Sequence, residues 1–113
     1  MFAASDDDGF APALPGIERK TLVHGERTLM TVFRMMKGST LPVHRHPYEQ
    51  TGYLVSGRMR LTIAGESFDA GPGSSWCIPS EAPHGAEIAE DSLAIEVFSP
   101  VREDYLPSPD RLR

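Results

Sequence analysis

GSTLPVHRHPYEQTGYLVSG, residues 38–57, is the stretch whose reading decides the fold. Lys37-Gly38-Ser39 is a turn. Thr40 to His46 is extended and interrupted by Pro42, which makes it an edge strand or a bulged one, because proline brings no amide hydrogen to a ladder. His44 and His46 stand two apart, and alternate side chains of a strand share a face, so both imidazoles reach one point. Gln50 follows at the start of the next extended run, QTGYLVS over 50–56. Beyond Gly57 comes RMRLTIA over 58–64, with Met59, Leu61 and Ile63 on one face and Arg58, Arg60 and Thr62 on the other. The two runs read as a hairpin turning at Gly57.

Working outward, TLMTVFRMM over 28–36 reads as a strand with Leu29, Thr31, Phe33 and Met35 on one side. Met30, Val32, Arg34 and Met36 fall on the other, so neither face is purely polar, as in a barrel strand with a partly covered outer face. Gly65 opens another turn, residues 69–73 form a loop, and Ser74 to Ile78 is a short strand ending at Pro79. Pro83–Ala89 and Ser92–Ser99 read as a last antiparallel pair around Glu90-Asp91. PVREDYL, residues 100–106, reads as a helical turn. Ten glycines and ten prolines leave little room for long helices and predict an all-β sandwich or barrel. The expected organisation is an N-terminal arm over 1–16, a barrel over 17–106 and a frayed C-terminal tail over 107–113. The arm is either mobile or pairs with a second subunit.

The chain's 113 residues suit one domain. Eleven Lys and Arg against sixteen Asp and Glu give a net charge of −5, which argues against a nucleic-acid partner held through phosphates. No apolar run is long enough for a membrane span. The first ten residues lack the basic and apolar regions of a secretory signal, and the expected compartment is cytoplasmic. The single cysteine, Cys77, excludes an intrachain disulfide framework. It reads as a small packed residue rather than a nucleophile. Trp76 reads as packing on the face opposite Cys77, and the methionines as packing.

The chemistry lies in the histidines. Of the four, His24 reads as a surface or turn residue. His44, His46 and the distant His84, with the carboxamide oxygen of Gln50, make an N3O donor set for a divalent transition metal: Zn, Ni, Mn, Fe or Co. An H-x-H pair alone is weak support for that. Glu49 competes with Gln50, but an extended backbone points it to the opposite face. Tyr48 and Tyr53 are candidates for a pocket mouth, with Tyr53 a candidate substrate contact.

The spacing adds weight. Gly38, His44, His46, Gln50 and Gly57 closely resemble the first motif of the cupin superfamily, and Gly73, Pro79 and His84 resemble the second. Three positions depart from the pattern: Gln50 replaces the usual carboxylate, Glu81 the glycine after Pro79, and Ile88 the frequent asparagine. The resemblance implies a cupin double-stranded β-helix, a jelly-roll barrel with the metal in its lumen, and a homodimer. The segment from Glu96 to Leu106 resembles the C-terminal signature of the KdgF-like group, small cupins that linearise unsaturated uronates. In that group an acid, an aromatic and an arginine face the pocket, and the matching positions here are Glu96, Phe98 and Arg102. The acid of the group is usually Asp.

Four neutral donors would leave a bound ion its full double positive charge, which favours an acidic small-molecule substrate. The expected activity is Lewis-acid ring opening and ketonisation of an unsaturated uronate or related acidic sugar. Glu96 would move protons, Arg102 would pair with the substrate carboxylate, and Phe98 would shape the pocket. The alternatives are salt-bridge roles, with Arg102 paired to Glu103 or Asp104, a metal-dependent dioxygenase, and a non-catalytic ligand-binding cupin.

Overall fold

The computed structural model describes residues 1–106; the tail expected over 107–113 lies outside them. Eight strands run in chain order: β1 Ala11–Leu14, β2 Ile17–His24, β3 Leu29–Met35, β4 Thr40–His44, β5 Glu49–Ile63, β6 Glu66–Ala70, β7 Ser75–Ile78 and β8 His84–Ser99. A 3-10 turn over Glu103–Tyr105 follows. All pairings are antiparallel, in the order β1-β2-β3-β8-β5-β6, with β4 also on β8 and β7 also on β5. The all-β cupin barrel expected from the sequence is the architecture found. No helix among the described residues is long and apolar enough to cross a membrane.

The two longest strands correct the sequence reading. The runs on either side of Gly57 do not pair with each other; they are halves of β5, and both halves pair with β8. Likewise 83–89 and 92–99 belong to one strand rather than to a hairpin around Glu90-Asp91. A straight strand of β8's 16 residues would measure roughly 50 Å. The whole described chain extends only 42 Å in its longest direction, so β5 and β8 bend together as one ribbon.

Register shifts at Leu54/Ser56, Ser56/Arg58 and Arg58/Met59 mark the corner. Gly57 has φ +97, and a Cβ there would run into Ser92 Oγ and the Asp91 carbonyl. Ser92 Oγ accepts from the Arg58 amide at 3.2 Å and donates to the Glu90 carbonyl at 2.7 Å. A glycine in this conformation serves a strand corner as readily as a tight turn, which is why local sequence suggested hairpins.

Residues 11–14, placed in the arm from sequence, instead form β1 and pair with β2 across Pro15-Gly16. Ahead of that strand, the Lys20 ammonium ties Asp6 at 2.8 Å. The edge strand β4 pairs only with β8 and bulges between Leu41 and His44, around Pro42. The apolar core, including Ile17, Met35, Leu54, Met59, Leu61 and Ile88, comes from the middle of the bent ribbon and the strands beside it. Polar inward positions lie toward the ribbon's ends: Gln50 on β5, and His84 and Glu96 on β8.

The corner predicts that Gly57→Ala destabilises the fold by about 2 kcal/mol or more, from the left-handed backbone plus the steric clash. In thermal unfolding this reads as a fall in Tm of roughly 10 °C. A Gly65→Ala control meets no neighbouring atom within 4 Å and carries only the backbone cost.

Candidate metal centre

His84 opens one arm of the bent ribbon and His44 pairs with it across β4 and β8. His46 lies two residues past His44, and its loop is laced to the segment before His84. The Glu81 amide donates to the His46 carbonyl at 2.8 Å, and Ser80 Oγ donates to the Pro47 carbonyl at 2.7 Å. Glu81 has φ +66, so the position where the cupin pattern carries glycine keeps a glycine-like backbone here.

The three rings converge. One ligand atom from each of His44, His46 and His84 lies within 4.8 Å of the others. Each Nδ1 faces a backbone carbonyl two residues away: His44 to Pro42 at 2.9 Å, His46 to Tyr48 at 3.0 Å and His84 to Ala82 at 2.9 Å. A carbonyl only accepts, so Nδ1 carries the proton and Nε2 is left with its lone pair. Fixing the tautomer through the second nitrogen is how proteins prepare imidazoles for metals.

Two observations test whether a cation fits. His84 Nε2 is buried with no hydrogen-bond partner, a costly state for a polar atom unless something binds it. His46 Nε2 lies 3.0 Å from Gln50 Oε1, which brings two acceptors together and calls for positive charge. Burial holds His46 below the usual imidazole value, and holds His84 down at about 4, so a proton is a poor candidate for that charge. The donor set is neutral and of the nitrogen-and-oxygen type that suits divalent transition metals. His44 is exposed while His46 and His84 are buried, so the cluster opens to solvent on one side.

The other expected residues divide. Gln50 points inward and Glu49 outward, as β5 alternates. Glu96 is buried beside Gln50, and Trp76 Nε1 donates to its Oε1 and Oε2 at 3.1 and 3.3 Å. Burial pushes the Glu96 carboxyl up to about 8, against the hydrogen bonds of Gln50 and Trp76. Phe98 is fully buried, edge-on to His46 at 5.9 Å between ring centres.

Arg102 stacks over Phe98 and Tyr48 at 4.9 Å and over Tyr105 at 3.8 Å. It also forms the salt bridge foreseen as the alternative, its Nε and Nη2 donating to the Asp104 carboxylate at 3.3 and 2.8 Å. Arg102 therefore sits at the site with one edge of its guanidinium already engaged.

Tyr53 does not line the pocket. It takes an outward position of β5 and is 49% exposed, because Gln50, Gly52 and Leu54 take the inward ones. Cys77 is exposed rather than packed. Trp76 does lie opposite Cys77, but beyond packing it binds Glu96, a contact missed in the sequence. The available signal was Gly52: a glycine at an inward strand position marks a close approach. A Cβ there would collide with the Trp76 indole and Glu96 Oε2.

The comparisons agree with this geometry. The cupin domain family model matches residues 31–99. The pectin degradation protein KdgF of Dickeya dadantii is 29% identical over 93 residues, covering 80% of this chain and 84% of that protein. The H2HPP isomerase of Bacillus subtilis is 30% identical over 91 residues, 79% of this chain but 39% of that protein. The solved structure of KdgF from Halomonas sp. superposes with a TM-score of 0.89 at 31% identity, covering 94% of this chain and 98% of that one.

Purified without chelator or a nickel column, the wild type is expected to carry one divalent ion per chain by elemental analysis. His84→Ala should lower Zn2+ affinity at least about 100-fold, and Glu49→Gln should leave it unchanged.

Proposed function

We propose, from the premise that the chain belongs to the cupin domain family and is of the KdgF-like type, that it is a metal-dependent enzyme converting an unsaturated uronate from its ring form to the open keto form. The observation that carries this reading is a buried acid, Glu96, linked through Gln50 to the cluster of three tautomer-fixed histidines, with Arg102 stacked on Phe98 beside His46. The family resemblance supports the substrate class, since the KdgF relative is named for pectin degradation.

His44, His46, His84 and Gln50 would hold the ion. When bound, a divalent metal supplies positive charge that draws electron density from the sugar oxygens. The remaining work falls to the chain's own groups. The guanidinium edge of Arg102 not occupied by Asp104 is the docking point for the substrate carboxylate. Asp104 and the stacked rings of Phe98, Tyr48 and Tyr105 hold that edge in place. Phe98 walls the pocket.

Glu96 moves the protons. The anomeric hydroxyl loses its proton as the ring C–O bond breaks, and the ring oxygen becomes the oxygen of an enol. The enol proton is given up while a proton is added to the neighbouring carbon, which yields the ketone. The sum is an isomerisation, with no oxidant and no added water. A carboxyl pushed up to about 8 lies close enough to neutrality both to give and to take a proton.

The test follows the ultraviolet absorbance of unsaturated galacturonate. The metal-loaded wild type should remove it faster than buffer. Glu96→Gln should lower kcat at least about 100-fold with metal retained, and Arg102→Met should act mainly by raising KM, about tenfold or more. Decay no faster than in buffer, with metal confirmed, rejects the uronate assignment. Oxygen uptake by the Fe(II) form on a small diketone or phenol would then identify a dioxygenase.

A further inference from the structure

Trp76, Gly52 and Glu96 form one row across three strands. Gly52 of β5 pairs with Trp76 of β7 on one side and with Glu96 of β8 on the other. Adjacent strands lie about 4.8 Å apart, so the outer two residues are roughly 10 Å apart at the backbone. Their side chains meet above the middle position, which is open only because Gly52 has no side chain: a Cβ there would strike both the indole and the carboxylate. The Gly52 φ is not left-handed, so space rather than backbone conformation demands glycine.

The contact is specific. The indole N–H is a single donor shared between both oxygens of Glu96, and Thr31 Oγ1 donates to the Glu96 backbone carbonyl at 2.9 Å. Side chain and backbone of the acid are thus both held. An aspartate at this position, one carbon shorter, would draw its oxygens away from the indole.

We infer that Trp76 is a positioning residue for Glu96, its indole N–H reaching across Gly52 to hold the carboxyl in one orientation beside Gln50. The inference rests on the proposed role of Glu96 as proton carrier. Trp76 also packs at the margin of the apolar core, and a purely structural role would be served by any large ring. The two roles separate experimentally.

Trp76→Phe keeps a ring and removes the donor. Its kcat on unsaturated galacturonate should fall about tenfold, the loss of one hydrogen bond to the carboxyl. KM and metal content should stay within about twofold of the wild type. A kcat equal to the wild type, or a fall matched by loss of metal, overturns the inference. A second measurement needs neither substrate nor a Trp76 variant. Trp76 is the only tryptophan, so tryptophan emission reports the surroundings of this one indole. Glu96→Leu, which removes the acceptor of the indole N–H, should shift that emission and the remote Glu66→Gln should not. Unshifted emission in Glu96→Leu overturns the contact. A shift in a protein whose wild type turns over no uronate supports the contact and rejects the activity instead.

Discussion

The shared bend of β5 and β8 is the constraint on which the rest depends. Two strands of 15 and 16 residues fold back as one ribbon, so residues far apart along each strand come to face one another. His84 lies at one end of β8 and Phe98 near the other, yet His46 touches both, with ring centres 4.8 and 5.9 Å away. That closure needs a corner where β5 passes the carbonyl of Asp91 and the hydroxyl of Ser92 without a side chain between, and Gly57 provides it. The corner side of the ribbon carries the apolar core, and the polar residues collect toward its ends. The bend thereby sets where hydrophobic burial stabilises the fold and where desolvated polar groups are tolerated.

Those polar groups are held in a graded way. The Nδ1 atom of each clustered imidazole is satisfied by a carbonyl of its own segment, which leaves the Nε2 lone pairs directed to a common locus. The acid beside them is satisfied by an indole, a neutral donor that steadies a carboxyl without neutralising it. Arg102, stacked on the site's rings, is balanced by Asp104 at the rim. A buried carboxyl without a cationic partner favours its protonated form, and a cluster of neutral donors with one unpartnered nitrogen favours a bound cation. Both preferences come from the burial of polar side chains at neighbouring inward positions.

Much of this is legible residue by residue. Alternation in RMRLTIA and TLMTVFRMM places Met59, Leu61, Leu29 and Met35 inside, and the spacing of His44, His46 and Gln50 makes them donors on one side of an extended chain. Glu96 and Phe98, two apart, share a face for the same reason. Alternation also assigns Tyr53 outward once Gln50 is taken as inward, a consequence of β5 that its aromatic character obscured. What misled was local: a positive-φ glycine and an acidic pair resemble turns, and nothing near Gly57 or Asp91 in sequence says whether the flanking segments pair with each other or with a common neighbour.

Chain chemistry by itself therefore determined the all-β class, the inward and outward faces of the strands, and the identity of the donor atoms, because these follow from a period of two and from what each side chain can donate or accept. Only the tertiary structure decided that β5 and β8 are continuous and bent, and that Gly52 vacates the space where Trp76 reaches Glu96. Each of those is a contact between segments distant along the chain, set by cross-strand register and by excluded volume, and neither quantity is written in any local stretch of residues.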